Sequence, residues 1–172
     1  IDEALKGKHY LAVNVSDARA VFRVSGGDAR EVIAALRDGM LEDIDRAPPG
    51  SVLLLHACAH NPTGVDPTVE QWDAILSLAG RRGLLIVFDM AYQGFATGDV
   101  ARDAYPVREA ARLGLEFFLA QSFSKNFGLY GERVGCLHLV TGSGSASEAL
   151  LSVAAVVARR QYSNPPIHGA GI

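Results

Sequence analysis

The sequence contains few cysteines, no long apolar run and little net charge. Cys58 and Cys136 are its two cysteines, and they lack metal-ligand spacing, which favours reduced thiols over a disulfide and predicts no metal site. No apolar run approaches the roughly 20 residues of a membrane span, and IDEALKGKHY at the start has no apolar signal segment. A net charge of −3 provides no basic surface for nucleic acid. We therefore predict a cytoplasmic protein with neither membrane nor nucleic acid as a partner, and an organellar form stays open.

The overall composition is that of a soluble globular protein. Hydrophobic residues make up 49% and charged residues 20% of the 172 residues, enough for one sizeable core. The chain begins with Ile rather than Met and ends at GAGI, so we expect a fragment of a longer protein.

The leading segment, residues 1–38, is predicted to form a β-hairpin followed by a helix. Two β-prone runs, YLAVNV and AVFRV, flank a polar turn. Ser25 or Asp28 is suited to cap the helix, whose apolar residues Val32, Ile33 and Leu36 share one face. We find no catalytic constellation in this segment.

Residues 39–172 alternate between apolar strands and amphipathic helices, which predicts an α/β fold with a mostly parallel, doubly wound sheet. The predicted strands are SVLLLHACA, LLIVFD, LEFFLAQS and CLHLV. The predicted helices are residues 67–83, which end at Gly83, residues 100–114 with a break at Pro106, and EALLSVAAVVARR after a Gly/Ser linker.

Polar side chains follow three of the predicted strands where each strand ends. They are Asn61, Asp89 and the segment from Ser122 to Lys125. The carboxyl ends of strands in an open α/β sheet are where ligands bind, so we expect these groups to converge. A lysine there, among apolar neighbours and beside a cationic cofactor, is expected to act as a nucleophile that forms Schiff bases.

Together these side chains suit pyridoxal phosphate. Lys125 would bond to its aldehyde, Asp89 would pair with the ring nitrogen, and the phenol of Tyr92 would donate to the ring oxygen. The phosphate would be held by two hydroxyls and a guanidinium, those of Ser122, Ser124 and Arg133. Taken singly, each residue has an ordinary explanation: a cap, a packed aromatic, a turn residue or a solvated charge.

Four blocks of this sequence resemble successive blocks of the aspartate aminotransferase family, the class I, fold-type I pyridoxal-phosphate enzymes. They are HACAHNPTG (56–64), DMAYQGFA (89–96), SFSKNFGLYGERVG (122–135) and RRQYSNPP (159–166). The resemblance implies that residues 39–172 are part of the large domain of that fold, in a homodimer. It also implies amino-group transfer between L-aspartate and 2-oxoglutarate, that is, between a dicarboxylic amino acid and a 2-oxo acid.

By that resemblance, Lys125, Asp89 and Tyr92 are the catalytic residues. Lys125 bonds to the cofactor and shuttles the proton, while Asp89 keeps the ring nitrogen protonated. The other cofactor contacts are implied to be Asn61, Ser122, Ser124 and Arg133. Asn61 and Arg159 are implied to bind substrate, Arg159 through the distal carboxylate across the dimer interface. Tyr162 and Ser163 match a segment that lines the neighbouring subunit's site.

The sequence also departs from the family pattern. Met90 stands where a small Ser or Cys is usual and is expected to crowd the pocket, and Arg160 and Gln161 replace a small residue and an asparagine beside Arg159. The upstream phosphate loop, the aromatic that stacks on the ring and the C-terminal small domain have no counterpart. We therefore expect this chain by itself to have little or no transaminase activity.

Two other interpretations stay open at this stage. The first is a non-catalytic binding or assembly module on an aminotransferase scaffold. The second starts from SDARAVFRVSGGDAREV, which resembles the opening of the glycine-cleavage T-protein and sarcosine oxidase gamma-subunit family and implies a folate-linked subunit.

Overall fold

A computed structural model describes residues 9–14, 32–33 and 39–162 of the chain. Its strands are β1 (His9–Asn14), β2 (Val32–Ile33), β3 (Val52–His56), β4 (Leu85–Met90), β5 (Phe117–Ser122) and β6 (Gly135–Thr141). Its helices are α1 (Met40–Arg46), α2 (Val69–Arg82), α3 (Val100–Asp103), α4 (Tyr105–Arg112) and α5 (Gly144–Gln161). The predicted strands of residues 39–172 are thus confirmed.

The described strands form one mixed sheet in the order β1-β6-β5-β4-β3-β2. Strands β2 to β5 run parallel, whereas β6 is antiparallel to both of its neighbours, β5 and β1. The parallel strands are joined by crossovers that contain α2 and then α3 and α4, as parallel pairing requires. This is the predicted α/β architecture with one antiparallel strand.

One face of the sheet carries the hydrophobic core. Alternate residues of the central strands point to this face, among them Leu55, Phe88 and Leu119, each at most 2% exposed. Trp72, Ile75 and Leu76 of α2 pack onto it, and burying each contributes on the order of 1.5–3 kcal/mol. The other face carries half-buried residues such as Leu54 and Val87, and Asp89 points to that side.

The leading segment differs from its prediction in one described element. Val32 and Ile33 form strand β2 beside β3, although the sequence predicted a helix there. Both are β-branched and favour extended backbone when an apolar strand lies alongside. Strand β1 coincides with the first β-prone run, and its partner is β6. The second run of the predicted hairpin lies outside the described residues.

The helices begin and end at recognisable signals. Gly83 ends α2 with φ of 63°, as predicted. The predicted break near Pro106 falls at Ala104, because Pro106 lies in the first turn of α4, where proline is tolerated. Helix α5 begins earlier than predicted, because Ser143 of the Gly/Ser linker caps it by accepting from the Ala146 N–H. Within the described ranges, none of these helices is long and apolar enough to cross a membrane.

Replacing Thr68 with alanine is expected to destabilise α2. The Thr68 hydroxyl accepts from Gln71 N at 3.3 Å, and the Gln71 side chain accepts from Thr68 N at 2.8 Å. Loss of this capping box should cost about 1 kcal/mol and lower Tm by roughly 2–4 °C. Thermal unfolding followed by circular dichroism measures the effect. Thr68→Ser keeps the acceptor and should unfold close to wild type; an equal loss in both variants would contradict the capping explanation.

Candidate active site

The carboxyl ends of β3, β4 and β5 lie side by side. Asp89 of β4 is in register with His56 of β3 and with Ala120 of β5, and the Ala57 N–H donates to the Asp89 carbonyl at 2.9 Å. Asp89 is half-buried at the end of its strand. The loops that follow these three strands therefore start from one edge of the sheet.

Three of the predicted site residues meet above this edge. The Lys125 ammonium nitrogen lies 4.7 Å from the centroid of the Tyr92 ring, a cation–π distance. Asn61 Nδ2 donates to the Tyr92 hydroxyl at 3.5 Å. Each residue comes from a different loop, after β5, β4 and β3 respectively. The structure thus brings Asn61, Tyr92 and Lys125 together around the phenol.

The lysine loop is a compact turn between β5 and β6. Gly128 N donates to the Lys125 carbonyl at 3.0 Å, and Phe123 N donates to the Val134 carbonyl at 3.1 Å. A Cβ at Gly135 would lie 2.7 Å from the Gln121 carbonyl, so this close approach of backbones requires glycine. The position of Lys125 is consequently set by backbone contacts at both ends of the loop.

The loop that carries Asn61 is held by a carboxylate that the sequence analysis missed. Asp66 accepts from Ala59 N at 2.6 Å and from His60 N at 2.8 Å. Asn61 N donates to His56 Nδ1 at 3.3 Å, and the Asn61–Pro62 peptide is cis. The sequence feature that could have indicated this role of Asp66 is its position a few residues after a Pro-Thr-Gly turn. From there an aspartate side chain can accept hydrogen bonds from the loop backbone.

The loop that follows Tyr92 is held by a second missed carboxylate. Asp103 is 3% exposed and accepts from the backbone N–H groups of Gly94, Ala96 and Thr97, and from the Thr97 hydroxyl at 2.6 Å. A buried carboxylate with this many donors is compensated for its desolvation. The sequence signal was an acid four residues before Val107, on the apolar side of the predicted helix.

The three predicted phosphate ligands are only partly gathered. Ser122 Oγ accepts from Ser124 N at 3.2 Å, and Ser124 is buried. Arg133 is exposed, and its Nη1 donates to the Tyr130 carbonyl at 3.3 Å. Arg133 also has φ of 53°, a left-handed conformation that non-glycine residues seldom adopt and that is frequent at functional sites.

Met90 does not crowd the site, contrary to the expectation from the sequence. It is fully buried in the core beneath the sheet, because consecutive side chains of a strand point to opposite faces and Asp89 occupies the site side. Arg159 and Arg160 are exposed in the last turn of α5, and Tyr162 N donates to the Ala158 carbonyl at 3.1 Å. Ser163 lies outside the described residues.

Burial changes the pKa of two side chains behind the Asn61 loop. It lowers the pKa of His60, whose ring centroid lies 4.6 Å from that of His56; the electrostatic interaction with His56 acts in the same direction, and that with Asp66 opposes it. Burial thus favours the neutral form of His60, whose Nδ1 lies 2.7 Å from the Thr63 hydroxyl oxygen. Burial, followed by nearby carboxylates, raises the pKa of the Cys58 thiol to about 12.

We expect Cys58 to resist alkylation while the chain is folded. With its pKa raised to about 12, its thiolate is scarce at pH 8, whereas Cys136 is only half-buried. Iodoacetamide at pH 8 followed by peptide mass spectrometry should modify Cys136 first. The reaction at Cys58 should rise as pH approaches 12 or when urea unfolds the chain. Equal labelling of both residues under native conditions would contradict this expectation.

Comparisons with known proteins agree on one family. The chain matches the family described as "Aminotransferase class I and II" over residues 16–172. The match includes residues 16–38, which lie before the predicted boundary between residues 38 and 39. That boundary stays a prediction.

Individual relatives carry aminotransferase names. The chain is 57% identical over 134 residues to aspartate aminotransferase 1 of Medicago sativa, covering 78% of this chain and 32% of that protein. A solved aspartate aminotransferase from Trypanosoma cruzi shares 54% identity with a TM-score of 0.74, covering 77% of this chain and 34% of the other. An aromatic-amino-acid aminotransferase from Burkholderia pseudomallei, solved covalently bound to pyridoxal phosphate, shares 45% identity with a TM-score of 0.73, covering 77% and 33%.

The sequence thus spans about a third of the length of the curated relatives it matches. Those relatives include cytoplasmic, chloroplastic and mitochondrial proteins. The fold, the four sequence blocks and the family match together identify the chain as a member of the class I and II aminotransferase family.

Proposed function

We propose that this chain carries the cofactor-binding centre of a pyridoxal-phosphate-dependent aspartate aminotransferase. The observation that carries the proposal is the meeting of three loops at the phenol of Tyr92, with the Lys125 nitrogen 4.7 Å from its ring centroid and Asn61 bonded to its hydroxyl. A primary amine at the carboxyl edge of an α/β sheet, beside a phenol and near a half-buried carboxylate, suits this cofactor.

The chemistry of the donor set fits each part of pyridoxal phosphate. Lys125 offers an amine for the aldehyde, and Asp89 offers a carboxylate for the ring nitrogen. Tyr92 and Asn61 offer donors for the ring oxygen. The buried Ser124, with Ser122 and Arg133, offers hydroxyls and a guanidinium for the phosphate. When bound, the cofactor supplies an aldehyde carbon that takes up the amino group and a ring that accepts electrons.

Lys125 would act as the general base. Its amine, 4.7 Å from the Tyr92 ring centroid, would take the proton from the α-carbon of the amino acid and later give that proton up again, so that it acts as a shuttle. Asp89 would hold a positive charge opposite its carboxylate at the end of β4, and Tyr92 would fix the lysine's position. Together with Asn61, these residues form the catalytic part of the proposed site.

The proposed substrates are L-aspartate and 2-oxoglutarate. Arg159 would bind the distal carboxylate of either one, since a guanidinium pairs with a carboxylate through two parallel hydrogen bonds. Its exposure in the last turn of α5 agrees with a role at the interface of a homodimer, where it would serve the neighbouring subunit's site. We propose a cytoplasmic enzyme.

An isotope-transfer experiment tests the proposed reaction. The protein is incubated with pyridoxal phosphate, ¹⁵N-aspartate and 2-oxoglutarate, and glutamate is examined by mass spectrometry. Transfer of ¹⁵N to glutamate supports the aminotransferase, and in this 172-residue form we expect it to be slow. A cofactor-loaded protein that transfers nitrogen from other amino acids and not from aspartate would remove the substrate claim.

The second candidate is a non-catalytic binding or assembly module on the same scaffold. It is favoured by α5, where Leu151, Val153 and Val156 are each at least 36% exposed and no residue is buried. This candidate predicts association in size-exclusion chromatography without covalent attachment of the cofactor. Covalent attachment of pyridoxal phosphate to Lys125 therefore distinguishes the two candidate functions.

A further inference from the structure

A chain of three side chains crosses from β6 to the loop after β4. His138 Nε2 lies 3.1 Å from Gln121 Oε1, Gln121 Nε2 lies 2.7 Å from Gln93 Oε1, and Gln93 Nε2 lies 2.9 Å from the Val100 carbonyl. His138 is buried, and both glutamines are half-buried. We name these residues (His138, Gln121 and Gln93) the amide chain.

The direction of every hydrogen bond in the amide chain is fixed by its last acceptor. A backbone carbonyl only accepts, so Gln93 must donate to Val100 and must present its own oxygen to Gln121. Gln121 must then donate to Gln93 and accept from His138. Each glutamine therefore acts as donor and acceptor at once, a combination that a carboxylate cannot supply.

The amide chain lies next to the proposed site but on the opposite face of the sheet. Gln121 is in register with Met90, whose side chain is in the core, whereas Asp89 points to the site side. Gln121 lies near the end of β5, four residues before Lys125, and Gln93 directly follows Tyr92. The bond between the two glutamines thus joins the backbones that carry Tyr92 and Lys125.

We propose that Gln93 and Gln121 are positioning residues that set the distance between Tyr92 and Lys125, with His138 as the anchor on β6. The proposal deepens the proposed function and rests on it. The contact between the Lys125 nitrogen and the Tyr92 ring spans two loops, and a cation–π contact depends on their relative placement. The amide chain supplies that placement from beneath the sheet, because its three consecutive hydrogen bonds, two of them part-buried, restrain the two loops relative to β6.

The test is Gln121→Glu, which keeps the size of the side chain and removes the hydrogen that it donates to Gln93. Two oxygens would face each other in place of a 2.7 Å hydrogen bond. We expect backbone amides of residues 93–99 to exchange with deuterium about tenfold faster, the effect of one unmatched part-buried polar group. The measurement is made on the cofactor-free full chain.

The matched control is Gln71→Glu. Its side chain accepts from Thr68 N, a role that glutamate also fills, so exchange in residues 93–99 should not change. Gln93→Glu is the second variant, because it loses the donor to Val100 and should loosen the same residues even if Gln121→Glu folds poorly. Wild-type exchange in folded Gln121→Glu or Gln93→Glu would overturn the proposal.

A spectroscopic readout separates positioning from general stability. With pyridoxal phosphate bound, the pH at which the absorption of the cofactor–lysine bond titrates should shift by at least about half a unit in Gln121→Glu and not in Gln71→Glu. Faster exchange with an unchanged titration would mean that the amide chain only stabilises the loop, which overturns the positioning role. If wild-type protein binds no cofactor, the proposed function fails, and the positioning role fails with it whatever the exchange shows.

Discussion

Lys125→Arg is expected to abolish covalent attachment of the cofactor and to lower the transamination rate by at least 10²- to 10⁴-fold, the usual contribution of a positioned acid–base group. Arginine keeps the positive charge near the Tyr92 ring but has no primary amine. It also stays protonated, so it cannot take a proton from the amino acid. The rate is measured with the isotope-transfer assay and attachment by absorption spectroscopy.

The control for this variant is Lys8→Arg, the same exchange elsewhere in the chain. It should leave both attachment and rate at the wild-type level. Circular dichroism establishes that Lys125→Arg is folded. Covalent attachment that persists in folded Lys125→Arg would contradict the assignment of Lys125 as the cofactor lysine.

Asp89→Asn is expected to have the second-largest effect. The change keeps the shape of the side chain and removes the charge that would balance a protonated ring nitrogen. Loss of one partner from a desolvated ion pair costs about 3–5 kcal/mol, so we expect a loss of roughly 10²-fold or more in rate. Cofactor should still attach to Lys125, since the amine is untouched. Unchanged attachment of the cofactor together with a slower transamination rate would identify Asp89 as the partner of the ring nitrogen.

Asp45→Asn is the matched control for charge. Its carboxylate is 65% exposed and lies 4.0 Å from Arg82 Nε, a weak surface contact. It should leave the rate unchanged. If Asp89→Asn turns over like Asp45→Asn, the ring-nitrogen role of Asp89 is wrong.

The elements that follow from local pattern were predicted from the sequence. The apolar runs around Leu53, Phe88 and Leu119 form β3, β4 and β5, because a strand buried among neighbours needs apolar residues along most of its length. Helix α2 was delimited by its start near Pro67 and by Gly83. These signals are contained within a few residues, so pairing with distant parts of the chain does not alter them.

The features that depend on distant pairing were not predicted. Nothing local to His9–Asn14 indicates that β6, more than 120 residues later, is its partner. The positions of Val32 and Ile33 in the sequence are compatible with the apolar face of a helix and with a strand. Pairing with β3 favours the strand. The direction of Met90 required the register of β4, since a shift by one residue exchanges the two faces.

The candidate site shows the same division. Asn61, Tyr92 and Lys125 were predicted as site residues from their positions after strands, and the fold brings the three side chains close together. Asp66 and Asp103, which hold the loops, were missed. Apart from the Thr97 hydroxyl, their partners given above are backbone N–H groups, which every residue except proline has, so the sequence does not mark them.

The most direct test of the central claim is to trap the cofactor on the full chain. The sequence has three lysines, Lys6, Lys8 and Lys125, so few amines compete. Pyridoxal phosphate is added at about stoichiometric concentration, the mixture is reduced with borohydride, and the modified peptide is identified by mass spectrometry. We predict one adduct, on Lys125, which disappears when the chain is unfolded in urea before the cofactor is added. An adduct on Lys6 or Lys8 in its place, or none in the folded chain, would contradict the account.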